Sequence, residues 1–326
     1  MMKLPRRQFL QLAAGAATLP AMSRLARAQA YPSRPVRIIV GTPAGAGIDI
    51  TARLIGQWLS ERLGQQFVIE NRPGAGGNIA AEAVVRAPAD GCTLFLATPA
   101  NAINATLYER LSFNFVHDIA PVGALMRVPL VVVVNPSLAT KTVPEFIAYA
   151  KANPGKLNMA LGGTGGVDHV AGILFQKETG TRFQLVPYRG LASALTDLIG
   201  GQVQVIFSSI AAAIEYIRAG KLQALAVTSA VRADALPDLP TVGEFVPGVE
   251  ASQWYGIVAP KGTPAAIVDT LNKEINAGLT DPKLKARLAA LGGMVLPGTP
   301  EDFAKLIADE TEKWGKVIRA ANIKPE

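Results

Sequence analysis

From residue 31 onward the chain alternates short apolar runs with stretches whose apolar positions recur every three to four residues. The run 36–40 reads as a strand. Over 49–63, Leu54, Ile55, Trp58, Leu59 and Leu63 fall on one face of a helix that Gly64 stops. A strand at 67–69 follows, then a glycine-rich turn at 72–77, a helix bearing Ile79, Ala83 and Val84, and a strand at 93–97. This β-α-β-α-β order predicts a mainly parallel sheet with helices on both faces.

A second series of the same class begins after Val128, without repeating the first in sequence. Strands are expected at 130–134, 157–160, 185–188, 203–207 and 222–227, with helices opening at Thr142-Val143-Pro144 and running over 168–177. The last third returns to helices. Thr263-Pro264, Asp281-Pro282 and Thr299-Pro300 each read as an N-cap followed by proline at the first helical position. After Pro300, Phe303, Leu306, Ile307, Trp314, Val317 and Ile318 share one side, the spacing of a core-facing helix.

In open parallel sheets, ligands bind beyond the carboxyl ends of the strands. The loops there are 42–49, 71–78, 98–104, 162–168, 189–193 and 208–209. Several are rich in small residues and run directly into a helix, whose first N–H groups lack partners and carry a partial positive charge. Two of these loops carry the functional expectation: Pro43, Ala44, Gly45, Ala46 and Gly47 in the first half, and Gly163, Thr164, Gly165, Gly166 and Val167 in the second. If the halves face one another, two anion-binding helix ends converge on one cleft and hold a mono- or dicarboxylate. Thr98, Ala100, Asn101, Tyr188 and Ser208 complete the expected lining. Asp49 would repel an anion, so it either caps its helix or accepts a hydrogen bond from a ligand donor.

Other chemistries find little footing. Gly45-Ala46-Gly47 followed by Glu70 hints at a dinucleotide fingerprint, but Ile50 stands where the third glycine belongs. Cys92, the single cysteine, lies in an apolar run and is expected to be buried and unreactive. His117 and His169 are far apart, and no spacing predicts a metal site, so no metal or cofactor is expected. Residues 1–30 hold Lys3, Arg6, Arg7, Arg24 and Arg27, no acid, a short apolar stretch and Ala28-Gln29-Ala30. Together these read as a twin-arginine signal peptide cleaved near Ala30. The basic residues of that segment are five of the 32 in the chain, so the 27 that follow face 25 acids, a net charge of +2. That balance, without a basic run interleaved with aromatics, argues against a nucleic-acid partner.

The chain resembles the solute-binding proteins of tripartite tricarboxylate transporters, the Bug family. The likeness rests on Arg34-Pro35-Val36-Arg37-Ile38-Ile39-Val40, Asp49-Ile50-Thr51-Ala52-Arg53, Glu70-Asn71-Arg72-Pro73-Gly74-Ala75-Gly76-Gly77 and Ala102-Ile103-Asn104. It continues through Val186-Pro187-Tyr188-Arg189-Gly190, Gly200-Gly201-Gln202-Val203 and Leu239-Pro240-Thr241-Val242. The resemblance implies a two-lobed, type II-like periplasmic-binding fold, with residues 31–128 plus 254–326 in one lobe and 129–253 in the other. It also implies a monomeric periplasmic receptor that takes a small organic acid and docks on membrane permease subunits. Backbone N–H groups and ordered water in the loop from Ala44 to Gly47 would hold the carboxylate. Departures from the family's usual pattern are Asn101 in place of a histidine, Ser208 in place of an acid, and Val167 in place of a polar residue.

Two other functions compete with a transport receptor. A sensory module would present the same ligand to a membrane kinase. An enzyme would need a partner for Ser208 or Ser209, for which His169 is the one distant candidate.

Overall fold

The computed structural model describes residues 31–325; the expected signal peptide, residues 1–30, lies outside them. The first half opens with β1 (Val36–Val40), α1 (Gly47–Leu63), β2 (Phe67–Asn71), α2 (Asn78–Val85), β3 (Thr93–Ala97) and α3 (Pro99–Leu107). The long β4 (Ile119–Val134) leads into α4 (Val143–Ala152), β5 (Leu157–Leu161), α5 (Val167–Thr179), β6 (Phe183–Pro187), α6 (Leu191–Ile199), β7 (Val205–Ser209), α7 (Ile210–Arg218) and β8 (Gln223–Val227). The chain then returns through β9 (Ser252–Pro260), α8 (Ala265–Thr280), α9 (Pro282–Ala290), β10 (Met294–Val295) and α10 (Pro300–Ala321).

Ten strands form one hydrogen-bonded network with the path β2-β1-β3-β9-β4-β7-β5-β6, and β8 and β10 also pair with β4. The network divides into two halves of equivalent order. In the first the order is β2-β1-β3-β9-β4, and in the second β6-β5-β7-β4-β8. Each half is an α/β layer in which four strands run one way and the crossing strand, β9 or β4, runs against them; in the first half the two-residue β10 also runs antiparallel to β4. The expected mainly parallel halves are therefore present, the first with β9 and the short β10 as antiparallel members and the second with β4.

The crossings are sharp. Residues 119–129 of β4 pair with β9, whereas 130–134 pair with β7 and β8. The return crossing is at Ala251, whose N–H bonds Thr228 O, and Ser252, which pairs with Pro129. Thr228 fastens both crossings: its buried Oγ1 accepts from Leu130 N–H at 3.2 Å and donates to Ala251 O at 2.5 Å.

Three strands escape the sequence pattern, the two-residue β10 among them. Residues 119–129 belong to β4, but Pro121, Gly123, Arg127 and Pro129 interrupt the apolar alternation, and the ladder absorbs them with register shifts at 121/123 and 124/126. β9 is missed because its residues are nearly all buried, leaving no polar face to set a period. One expected cap is also corrected. The Thr263 hydroxyl donates to Pro260 O at 2.8 Å, so α8 starts at Ala265 after an uncapped Pro264. Asp281 and Thr299 cap α9 and α10 as expected, the latter in a capping box with Asp302.

α10 packs on both halves. Phe303 and Ile307 join the first-half core with Phe95, Phe115 and Trp254. Trp314, Val317 and Ile318 join the second-half core with Phe175, Phe207 and Val170. Between them the buried carboxylate of Glu310 accepts from the Trp314 indole at 2.7 Å and the Trp254 indole at 3.4 Å, and pairs with Lys313. Cys92 is buried, as expected from its apolar run, and desolvation raises its thiol pKa.

Thr228→Val keeps the side-chain shape but strands the buried Leu130 N–H. The expected loss is about 1–3 kcal/mol of unfolding free energy in a denaturant titration; an unchanged midpoint would show that the crossing does not depend on this hydroxyl.

Candidate ligand-binding site

β1 lies between β2 and β3, and β5 lies between β6 and β7. At both positions successive connections leave to opposite sides, so the carboxyl ends of β1 and β5 are topological switch points, where open α/β sheets form ligand crevices. The two glycine-rich loops expected from sequence follow these two strands. They therefore occupy equivalent places in the two halves.

The first loop is built for backbone exposure. Pro43, Ala44, Gly45 and Gly47 are exposed and Ala46 is half-buried. Gly45 holds φ 88°, a left-handed turn that a side chain would strain. Ala46 is extended (φ −69°, ψ 156°) and gives no side-chain cap, and the first intrahelical bond of α1 runs from Ile50 N–H to Ala46 O at 3.0 Å. The N–H groups of Gly47, Ile48 and Asp49 thus precede the helical ladder and point out of its positive end.

Asp49 does not cap α1 from the N-cap position. It is the third helical residue, 2% exposed, and its carboxylate folds back to accept from Gly45 N–H at 2.9 Å. Arg53, one turn on, donates to both oxygens at 3.0 Å, and Asn71 Nδ2 donates at 2.9 Å while also holding Thr42 O at 3.0 Å. Burial works to raise the Asp49 pKa, but the bonds from Arg53, Gly45 and Asn71 outweigh it and hold the carboxyl below its ordinary value. Its charge is spent on Arg53 and the loop.

Neighbouring loops are pinned in the same manner. Asn104 Nδ2 donates to Gly76 O and to Asn78 Oδ1, tying the glycine turn after β2 to α3. Asn101, 3% exposed, accepts from Thr98 N–H at 2.9 Å within the capping box of α3, and Thr98 and Ala100 remain half-buried. The clamps Arg53, Asn71, Asn78 and Asn104 were missed as site residues. The four-residue spacing of Asp49 and Arg53 was a readable signal for one of them; the asparagines act across elements, which local spacing does not encode.

The second loop is organised differently. Gly165 holds φ 76° and is buried, and a Cβ there would come 2.4 Å from Leu107 Cδ2 at the end of α3. This contact brings the second-half loop against a first-half helix. Gly163, Thr164 and Gly166 are half-buried, whereas Val167 is 4% exposed and belongs to the core. Asp168 accepts from Gly162 N–H, and the N–H groups of His169 and of Asp168 itself also face its carboxylate. Desolvation nevertheless dominates and pushes its pKa from 3.8 up to about 6. Buried His169 accepts from Gly165 N–H through Nδ1 at 3.1 Å.

The remaining expected residues have their polar atoms engaged within the fold. The Tyr188 hydroxyl donates to Asp197 at 2.6 Å. Ser208 is fully buried on β7 opposite Val131, and its hydroxyl donates to Ser209 O at 3.2 Å.

Asp168 gives a pH signature. Its carboxyl takes up a proton near pH 6 when folded and near 3.8 when unfolded, so its contribution to stability is complete below about pH 4 and is lost as pH rises through 6. The loss is at most about 3 kcal/mol. Asp168→Asn should flatten the fall in melting temperature between pH 4.5 and 7.5; parallel wild-type and variant curves would remove the carboxyl as its source.

Residues 51–323 match the Tripartite tricarboxylate transporter family receptor. The chain is 37% identical to the protein BugT of Bordetella pertussis over 300 residues, covering 91% of this chain and 92% of BugT. Among solved structures, the adipate complex of R. palustris Rpa4515 superposes with a TM-score of 0.79 at 36% identity, covering 91% of this chain and 100% of that one. MatC of Rhodopseudomonas palustris, with bound malate, does so with a TM-score of 0.75 at 31% identity, covering 88% of this chain and 100% of that one. The sequence match, the relatives and the shared architecture agree: the chain belongs to the receptor family of the tripartite tricarboxylate transporters, the Bug-type solute-binding proteins.

Proposed function

We propose that this protein is a periplasmic receptor that captures a small carboxylate and hands it, unconverted, to the permease subunits of a tripartite transporter. The observation that carries the reading is the loop before α1. Its N–H groups at Gly47, Ile48 and Asp49 lie outside the helical ladder, its side chains are small, and the one carboxylate beside it is neutralised by Arg53. A ligand carboxylate on these amides gains hydrogen bonds and the positive end of α1 without displacing any bond of the fold. Thr98 and Ala100, after the neighbouring strand β3, complete the pocket floor on this reading. Complexes of related proteins with adipate and malate fit the same ligand class.

The two halves act as lobes in this reading and part at the crossings, with residues 31–129 and 252–326 forming one and 130–251 the other. A ligand that touches both lobes shifts the population toward a closed form by its differential contacts, and the closed form docks on the permease. Residues 1–30 serve export and are removed near Ala30.

Native mass spectrometry of the protein purified from its own periplasm should reveal a bound organic acid, and that acid should raise the melting temperature when added back. Gly47→Val gives the sharper test. A Cβ at Gly47 meets nothing within 4 Å, so the fold tolerates it, while the isopropyl group covers the amides. Affinity should fall by about 100-fold or more in calorimetry, roughly the value of two charge-assisted hydrogen bonds. Unchanged binding by a folded variant would remove this loop from the site, and conversion of the acid to a product would overturn the receptor reading.

A further inference from the structure

The two strand-end loops are equivalent in topology and opposite in what they offer an anion. At α5 the first intrahelical bond runs from Val170 N–H to Gly166 O at 3.1 Å, so the N–H groups of Val167, Asp168 and His169 precede the ladder as their counterparts do in α1. Here, however, the chain supplies its own carboxylate. The N–H groups of Gly162, His169 and Asp168 face the carboxylate of Asp168. The fit is close on the glycine side: a Cβ on Gly166 would lie 2.3 Å from Oδ1, and one on Gly162 would lie 3.2 Å from Oδ2. Two further amides of the loop are also committed, Gly165 N–H to His169 Nδ1 at 3.1 Å and Gly166 N–H to Gly163 O at 3.3 Å.

Asp49 shows the contrast. It takes one loop amide, from Gly45, and turns its charge to Arg53 and Asn71, which leaves the α1 terminus open. Among the described residues no Lys or Arg pairs with Asp168, which lies in the curl of its loop. A carboxylate approaching the α5 terminus therefore meets a like charge, and the amides of Gly162, Asp168 and His169 already face that charge.

We infer that Asp168 is a specificity-determining residue: it fills the second anion seat from within, so the ligand anchors through a single carboxylate on the α1 loop and carries no acid at its far end. This rests on the carboxylate-receptor reading and narrows it to monocarboxylates. The feature that competes is Arg189, after β6, which is exposed and belongs to the neighbouring strand-end loop. Its charge is screened by solvent more fully than that of Asp168, which is half-buried in its loop.

The test is calorimetry on the mature chain with matched pairs of acids, butanoate against succinate and hexanoate against adipate. Wild type should bind the monoacid of the better pair at least about tenfold more tightly than the diacid. Asp168→Asn should raise diacid affinity by about tenfold and change monoacid affinity by less than about threefold. If that variant does not fold, Asp168→Ser removes the charge with a smaller side chain and should move the ratio the same way. Diacids bound as tightly as monoacids by wild type, or a ratio unmoved in both variants, would overturn the assignment while leaving the carboxylate reading intact. A diacid affinity that Arg189→Gln abolishes would overturn it in favour of the arginine. Binding of none of these acids, nor of any acid recovered from the native protein, would overturn both readings.

Discussion

Everything in this molecule is referred to a single continuous strand. The 16 residues of β4 run through both halves of the sheet, ending one ladder at Pro129 and beginning the next at Leu130. Since β9 returns antiparallel beside it, each half receives one long strand against the grain, and four strands of each half keep a common direction. That common direction sends the carboxyl ends of β1, β2 and β3 to one edge and those of β5, β6 and β7 to the corresponding edge of the other half. The loops inherit their equivalence from this constraint; no resemblance in sequence between the halves is needed.

Much of this was readable in the amino-acid order. The strands 36–40 and 93–97 and the helix over 143–152 have the expected positions because each carries a clean period and a local stop signal. The crossing strands were not readable in the same manner. The first part of β4 is broken by Pro121 and Pro129, and β9 is buried on both faces, so neither shows a half-polar alternation. Among the candidate site residues, the glycine loops could be found because left-handed turns demand glycine and helices begin where such turns end. The destinations of Asn71, Asn104 and Tyr188 are tertiary facts. Their partners lie on other elements or inside the core, and a one-dimensional pattern carries no distance between them.

The comparison of Asp49 with Asp168 shows how two carboxylates near the start of equivalent helices acquire different roles. The difference is set by what stands one turn later. Arg53 follows Asp49 at four residues and pairs with its carboxylate, whereas the position four residues after Asp168 is Gly172, which offers no charge. Gly172 is itself required by packing, since a Cβ there would lie 2.4 Å from the sulfur of Met159. The core of the second half thus denies Asp168 a counter-ion and leaves it to the loop amides.

α10 adds a mechanical consequence. Its first turns are anchored among Phe95 and Trp254, and its last turns among Phe175 and Phe207, with Glu310 bonded to both indoles between the anchors. A stiff rod fixed at two ends resists being pulled apart far more than it resists rotation about its own axis. Relative movement of the halves that preserves both anchors is therefore a twist along this rod, and a wide hinge-like gape would first have to draw the Trp314 indole out of its apolar socket.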